Sequence, residues 1–178
     1  MLMGIPVPRL LIVLAGMAAC LGASSTSCQF GDSDFNLESP SFVSDLTLRR
    51  ADGTTGDTFD RGEPIDLVLT VRNRLSTPAT VEFPTARTFD FIVVRANTTD
   101  LVWKWSTGRS FAQVLTEIDF AAGETRTFTV TWDQRDASGT PVPAGAYEAR
   151  GVLVYDDFDA NPLRSHQLAS TLERLTIR

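Results

Sequence analysis

From residue 42 onward, apolar and polar side chains alternate in short runs, and most runs stop at glycine, proline or an Asn/Asp-containing tract. An apolar residue at every second position puts one face of a strand against a core and the other in water. Ile65, Leu67, Leu69 and Val71 alternate with Asp66, Val68, Thr70 and Arg72, which predicts a strand over 65–73. Phe42, Leu46 and Leu48 predict an earlier strand with Asp45, Thr47 and Arg49 on its other side. Between the two lies a Gly- and Asp-rich loop, 51–64, in which Asp52-Gly53 sets a turn. Thr80 to Phe83 is a short strand that Pro84 ends, because proline cannot donate to a ladder.

The stretch 89–132 is the most informative. Phe89, Phe91 and Val93 point one way, and Asp90, Ile92 and Val94 the other. A hairpin turn over 96–100 leads to a strand with Leu101, Trp103 and Trp105 on one face. Ser106-Thr107-Gly108 breaks that strand, residues 109–113 fit one helical or 3₁₀ turn carrying Phe111 inward, and 114–120 returns as a strand. Phe128, Val130 and Trp132 then alternate with Thr127, Thr129 and Thr131, the pattern of an antiparallel sheet with one wet face. Residues 133–145 form a Gly/Pro-rich loop, 146–155 a strong strand with Tyr147 and Leu153 on the core side, 156–165 an acidic loop, and 167–178 a weaker last strand. About seven to nine short strands with regular turn signals predict an all-β, immunoglobulin-like antiparallel β-sandwich. It lacks the Cys-Trp-Cys arrangement of antibody domains, since neither cysteine lies beyond Cys28.

The N-terminal region has a different character. Arg9 precedes the apolar run 10–19, which is short for a bilayer span of about 20 residues and reads as an export signal over 1–23. Met17-Ala18-Ala19-Cys20 resembles the lipobox of bacterial lipoproteins, with Cys20 the lipidated residue, although Met stands where Leu is usual. Ordinary signal-peptidase cleavage near Ala23 is the other route. Residues 24–40 read as a flexible tether of Gly, Ser and Asp, and 41–178 as the folded domain. The expected location is the cell envelope as an exported lipoprotein, otherwise secreted, with membrane contact only through a lipid anchor or an uncleaved signal.

Charge and chemistry narrow the function. A net charge of −6 over 178 residues argues against nucleic acid and against anionic membrane surfaces. The single histidine, His166, lies in a late loop and reads as a surface residue rather than a general base. One histidine and no cysteine in the domain leave no set of zinc ligands. The acidic loops 52–60 and 156–159 match no EF-hand spacing and read as solvated turns. No catalytic residue, metal or cofactor is expected. Trp103 and Trp105 have two readings, core residues or an exposed aromatic platform, and strand alternation favours the core.

An ordered set of motifs carries a family likeness. Asn73 follows the strong strand; Phe83-Pro84-Thr85 and Phe89-Asp90-Phe91 come next. Val102-Trp103 with Ser106 and Gly108, Phe111 with Gln113, Gly123-Glu124, Trp132, and Val142-Pro143-Ala144-Gly145 before Tyr147 complete it. In order and spacing the chain resembles the intracellular proteinase inhibitor (BsuPI) domain family. That resemblance implies an immunoglobulin-like domain and a serine protease of the subtilisin type as partner. With the export signal, it implies an envelope or exported protease. The loops 106–113 and 133–143 are the candidate contact elements, with Ser106, Gly108, Arg109, Phe111, Gln113 and Arg135 the candidate contact residues. The alternative is a surface-tethered binding or structural module without inhibitory activity. The sequence assigns no oligomeric state.

Overall fold

The computed structural model describes residues 41–155 and 158–178. Within them the chain is all-β, with no helix and ten strands. In chain order these are β1 (Phe42–Arg49), β2 (Thr58–Phe59), β3 (Ile65–Asn73), β4 (Ala79–Phe83) and β5 (Phe89–Arg95). They continue as β6 (Leu101–Lys104), β7 (Thr116–Phe120), β8 (Thr125–Trp132), β9 (Gly145–Leu153) and β10 (Glu173–Ile177). The immunoglobulin-like sandwich is as expected, with one sheet ordered β1-β3-β8, another β2-β10-β9-β5-β6, and a β4-β7 ribbon. All pairings are antiparallel except β2 with β10. The short β2 lies in the loop expected over 51–64, and buries Phe59 completely beside β10.

The two large sheets face each other through the alternating residues of β1, β3, β8, β5 and β9. Leu67, Leu69 and Val71 are fully buried, as their period of two requires. Rings join across the interior: Phe89 with Phe128 at 5.2 Å, Trp103 with Trp132 at 6.2 Å, and Trp132 with Tyr147 at 6.1 Å between centroids. The sheets approach closely at Gly151, where a Cβ would lie 2.9 Å from Leu69 Cβ and 2.9 Å from the Phe91 ring. Only glycine lets β9 and β3 come this near.

Strand β5 departs from a half-buried strand. Asp90, Phe91, Ile92, Val93 and Val94 are all buried, so both of its faces are covered. The second cover comes from the chain after β9. Phe158 and Leu168 are buried, Leu153 N–H donates to Leu168 carbonyl at 2.8 Å, and Ser170 N–H donates to Gly151 carbonyl at 2.9 Å. Arg150, opposite Ile92 on this face, donates from Nη1 to the Arg164 carbonyl at 2.9 Å. The segment expected as a solvated acidic loop therefore closes a second layer. Its Asp156 and Asp157 lie outside the described residues.

Two local expectations change. Alternation places Leu101 beside Trp103 on one face, yet Leu101 is 49% exposed. The register shifts between Val93 and Val94, pairing Val93 with Trp103 and Val94 with Leu101, and this bulge re-aims the start of β6. The helical turn expected over 109–113 is absent. The turn falls earlier, at 105–108, where Arg109 N–H donates to Ser106 carbonyl at 3.1 Å and Gly108 takes φ +75°. Glycine adopts that left-handed conformation without the steric cost other residues carry. Strand β7 consequently begins at Thr116 rather than at Val114.

Candidate functional site

The loop between β6 and β7 is held from below by β5. The Asp90 side chain is completely buried and accepts the Ser106 hydroxyl at 2.6 Å, the Ser106 N–H at 3.1 Å and the Phe91 N–H at 2.8 Å. Arg87 Nη1 stands 3.7 Å from the same carboxylate. Burial pushes the Asp90 carboxyl above its ordinary range, opposed by the Ser106 hydroxyl, the Phe91 N–H and the charge of Lys104. Arg87 also reaches Asp159 at 2.6 Å, and Lys104 bonds the other oxygen of that carboxylate. The Arg87 hydrogen bond foremost holds Asp159 below its ordinary range. Asp159 thereby ties the covering segment to the base of the loop.

Aromatic contacts fix the loop's flank. Trp105 stacks on Phe89 at 4.7 Å and 25°, and Phe111 leans on Trp105 at 5.8 Å. Phe111 is thus half-buried, turned inward as expected, though without a helical turn. Both Trp103 and Trp105 are partly buried and pack on the core, which supports the core reading over an open aromatic platform. Ala86 N–H donates to Ala112 carbonyl at 2.9 Å, pinning the middle of the loop. Gln113 is exposed and bends its amide toward the Phe111 carbonyl at 3.4 Å. Arg109 is exposed but folded back: Nε donates to Trp105 carbonyl at 2.9 Å, and the guanidinium lies 4.7 Å from the Trp105 ring centre.

The second loop, 133–143, is a closed structure of its own. Asp136 Oδ1 accepts the N–H groups of Ser138 at 2.8 Å and Thr140 at 3.0 Å, and the Ser138 hydroxyl at 2.6 Å. These bonds hold the Asp136 carboxyl below its ordinary range, the Ser138 hydroxyl first among them. Arg135 donates from Nη1 to Gly139 carbonyl at 2.7 Å and sits 3.6 Å from Asp133. Trp132 Nε1 donates to the Arg135 carbonyl at 2.8 Å, and Ala137 N–H to Val102 carbonyl at 3.1 Å. The two candidate loops are neighbours. Arg109 and Arg135 line one shallow depression of about 400 Å³, floored by Trp103 and Trp105.

Three contributors were invisible to the strand pattern. Alternation puts Asp90 on the face of Ile92 and Val94 but does not show that the carboxylate is buried there. Gln134 is buried with φ +58°, and its amide clamps the turn at 60–63. It accepts from Gly62 N–H at 2.8 Å and donates to the carbonyls of Asp60 at 2.8 Å and Glu63 at 2.9 Å. Val114 and Leu115, read as the start of a strand, instead stand free at 54% and 65% exposure. A hydrophobic pair directly before the β7 alternation was the available signal. Cys20, the expected lipidation site, and the tether 24–40 lie outside the described residues.

The geometry defines an all-β, immunoglobulin-like domain that presents two buttressed, adjoining loops. The chain belongs to the BsuPI family, described as intracellular proteinase inhibitor, which matches residues 54–157. It is a proteinase-inhibitor-type domain, and a protease is the partner the family implies. No curated protein matches the sequence. Among solved structures, the chain is similar to the C-terminal domain of wzt, at 12% identity and TM-score 0.44, covering 79% of this chain and 75% of that one. It is similar to the β-glucosidase EmGH1 of Erythrobacter marinus, at 11% identity and TM-score 0.43, over 78% of this chain and 15% of that one. It is also similar to the alkylpurine DNA glycosylase AlkC of Pseudomonas fluorescens, at 11% identity and TM-score 0.44, over 79% of this chain and 31% of that one. The chain spans less than a third of the glucosidase and glycosylase chains.

The family corrects the expected address. An exported, envelope-anchored or secreted protein conflicts with a family described as intracellular. That expectation rested on a short apolar run and a degenerate tetrad within the first 23 residues, outside the matched span and outside the described residues. Such a pattern is less specific than an ordered set of motifs spread across a domain.

Proposed function

We propose that this chain inhibits a serine protease of the subtilisin type, acting as a binding protein rather than as an enzyme. The observation that carries the reading is the family match over 54–157, a span that contains both candidate loops. The loop geometry supports it physically. An inhibitor gains affinity when its contact loop is ordered before binding, because little conformational entropy remains to be lost. The 105–115 loop has such support from the Asp90–Ser106 bonds, the Phe89–Trp105–Phe111 stack and the Ala86–Ala112 bond. The 133–143 loop is braced by Asp136 and Gln134.

The test is titration of the purified full chain against a panel of subtilisin-type serine proteases, with trypsin-type enzymes for comparison. Stoichiometric inhibition of at least one subtilisin-type enzyme is the expected result. Absence of inhibition across the panel rejects the proposal and leaves a non-inhibitory binding module.

A further inference from the structure

The exposed apolar surface of the described residues is uneven. Val43, Leu75 and Leu101 are exposed singly, which is ordinary for a protein surface. Val114 and Leu115 are adjacent in sequence and are the most exposed large apolar residues among those described, at 54% and 65%. Showing two neighbouring aliphatic side chains to water forgoes the stabilisation that burying them would supply.

Their backbone is as available as their side chains. The N–H groups of residues 110–114 donate to nothing among the described residues. Among the described residues, the one backbone bond to this segment from outside is Ala86 N–H to Ala112 carbonyl. The segment bends at Val114 and then enters β7, which among the described residues pairs only with β4 and so leaves an edge open. Both ends are nonetheless held, by Phe111 against Trp105 and by the Phe83–Thr116 pairing. A held segment with unused backbone donors and outward apolar side chains is what a protease cleft accepts, through added strand hydrogen bonds and side-chain pockets.

The two arginines have the opposite character. Arg109 is committed to the Trp105 carbonyl and ring, and Arg135 to the Gly139 carbonyl. Entering a pocket for a basic side chain would break these contacts without replacing the loop's internal bracing.

We propose that the protease contact is the segment 110–115, with Val114 and Leu115 entering apolar subsites, and that the target therefore prefers large apolar rather than basic side chains. This rests on the inhibitor reading above. It shifts the contact C-terminally from the turn at 106–109, which becomes the support rather than the contact.

The experiment uses the full chain with subtilisin as the apolar-preferring probe and trypsin as the basic-preferring one. The Val114→Ser/Leu115→Ser double variant should raise the inhibition constant for subtilisin about 100-fold, the loss expected of two central contact residues. Arg109→Ala/Arg135→Ala should change it less than about 3-fold, as for residues outside the energetic centre. Urea midpoints matching wild type confirm that each variant is folded. On the wild-type chain, hydrogen exchange should show new protection over 110–116 in the complex. Undiminished inhibition by the double serine variant overturns the proposal while leaving the inhibitor reading intact. Loss confined to the arginine variant, or protection confined to 133–143, does the same. If the wild-type chain inhibits no protease, the inhibitor reading fails and this proposal fails with it.

Discussion

The hydroxyl of Ser106 donates to the buried carboxylate of Asp90 at 2.6 Å, so the first turn of the loop after β6 is fastened to the start of β5. Sixteen residues of sequence separate the pair. The bond converts a surface turn into an extension of the core, because Asp90 is itself held by the Phe91 N–H and approached by Arg87.

Ser106→Ala removes one of the donors that compensate this buried carboxylate. Hydrogen bonds to charged groups contribute about 1.5–3 kcal/mol. The variant should lose stability of that order in urea unfolding, and amide exchange should accelerate over 105–109 before the strands respond. Wild-type exchange in that turn would show that the bond does not hold it.

The pH dependence of Asp90 has a definite sign. Burial raises its folded pKa above the ordinary 3.8, so the folded chain holds this proton more tightly than the unfolded chain does. The associated stability is fully present below 3.8 and is lost as pH rises through the raised folded value. Asp90→Asn is neutral throughout and lacks this dependence. The stability difference between variant and wild type should therefore move in the variant's favour with rising pH across that window. Urea midpoints measured from acid to neutral pH check it, and a constant difference would refute it.

Gln134 supports its loop by two means that can be separated. Gln134→Gly keeps the backbone conformation at φ +58° comfortable but removes three hydrogen bonds to the 60–63 turn. Each such bond contributes about 0.5–1.5 kcal/mol net. Gln134→Ala loses the same bonds and keeps the left-handed strain of about 1–2 kcal/mol that glycine relieves. Thermal denaturation should rank wild type above the glycine variant, and the glycine variant above the alanine one.

Gly151→Ala probes the contact between the sheets. Its methyl would meet Leu69 Cβ and the Phe91 ring at 2.9 Å, and both belong to buried strands with little room to yield. Overpacking of this kind costs about 1–3 kcal/mol. A lower urea midpoint with an unchanged slope is expected; a neutral substitution would mean that β9 and β3 can separate without loss.

Much of this architecture was legible in one dimension, because a half-buried strand writes its period of two directly into the chain. Ile65, Leu67, Leu69 and Val71 predicted β3, and Phe128, Val130 and Trp132 with their intervening threonines predicted β8 and its wet face. The ordered motifs from Asn73 to Tyr147 identified the family. The address failed for a related reason: a short apolar run and one cysteine carry little information against a whole domain's worth of motifs. Tertiary structure decided what alternation cannot express. It covered the second face of β5, so that Asp90 became a buried anchor instead of a solvated residue. It shifted the β6 register through a bulge that leaves Leu101 exposed, and it set the turn at 105–108. It also left Val114 and Leu115 in water although their side chains are apolar. Each of these outcomes depends on which distant segment arrives to cover a side chain, and local periodicity does not record that partner.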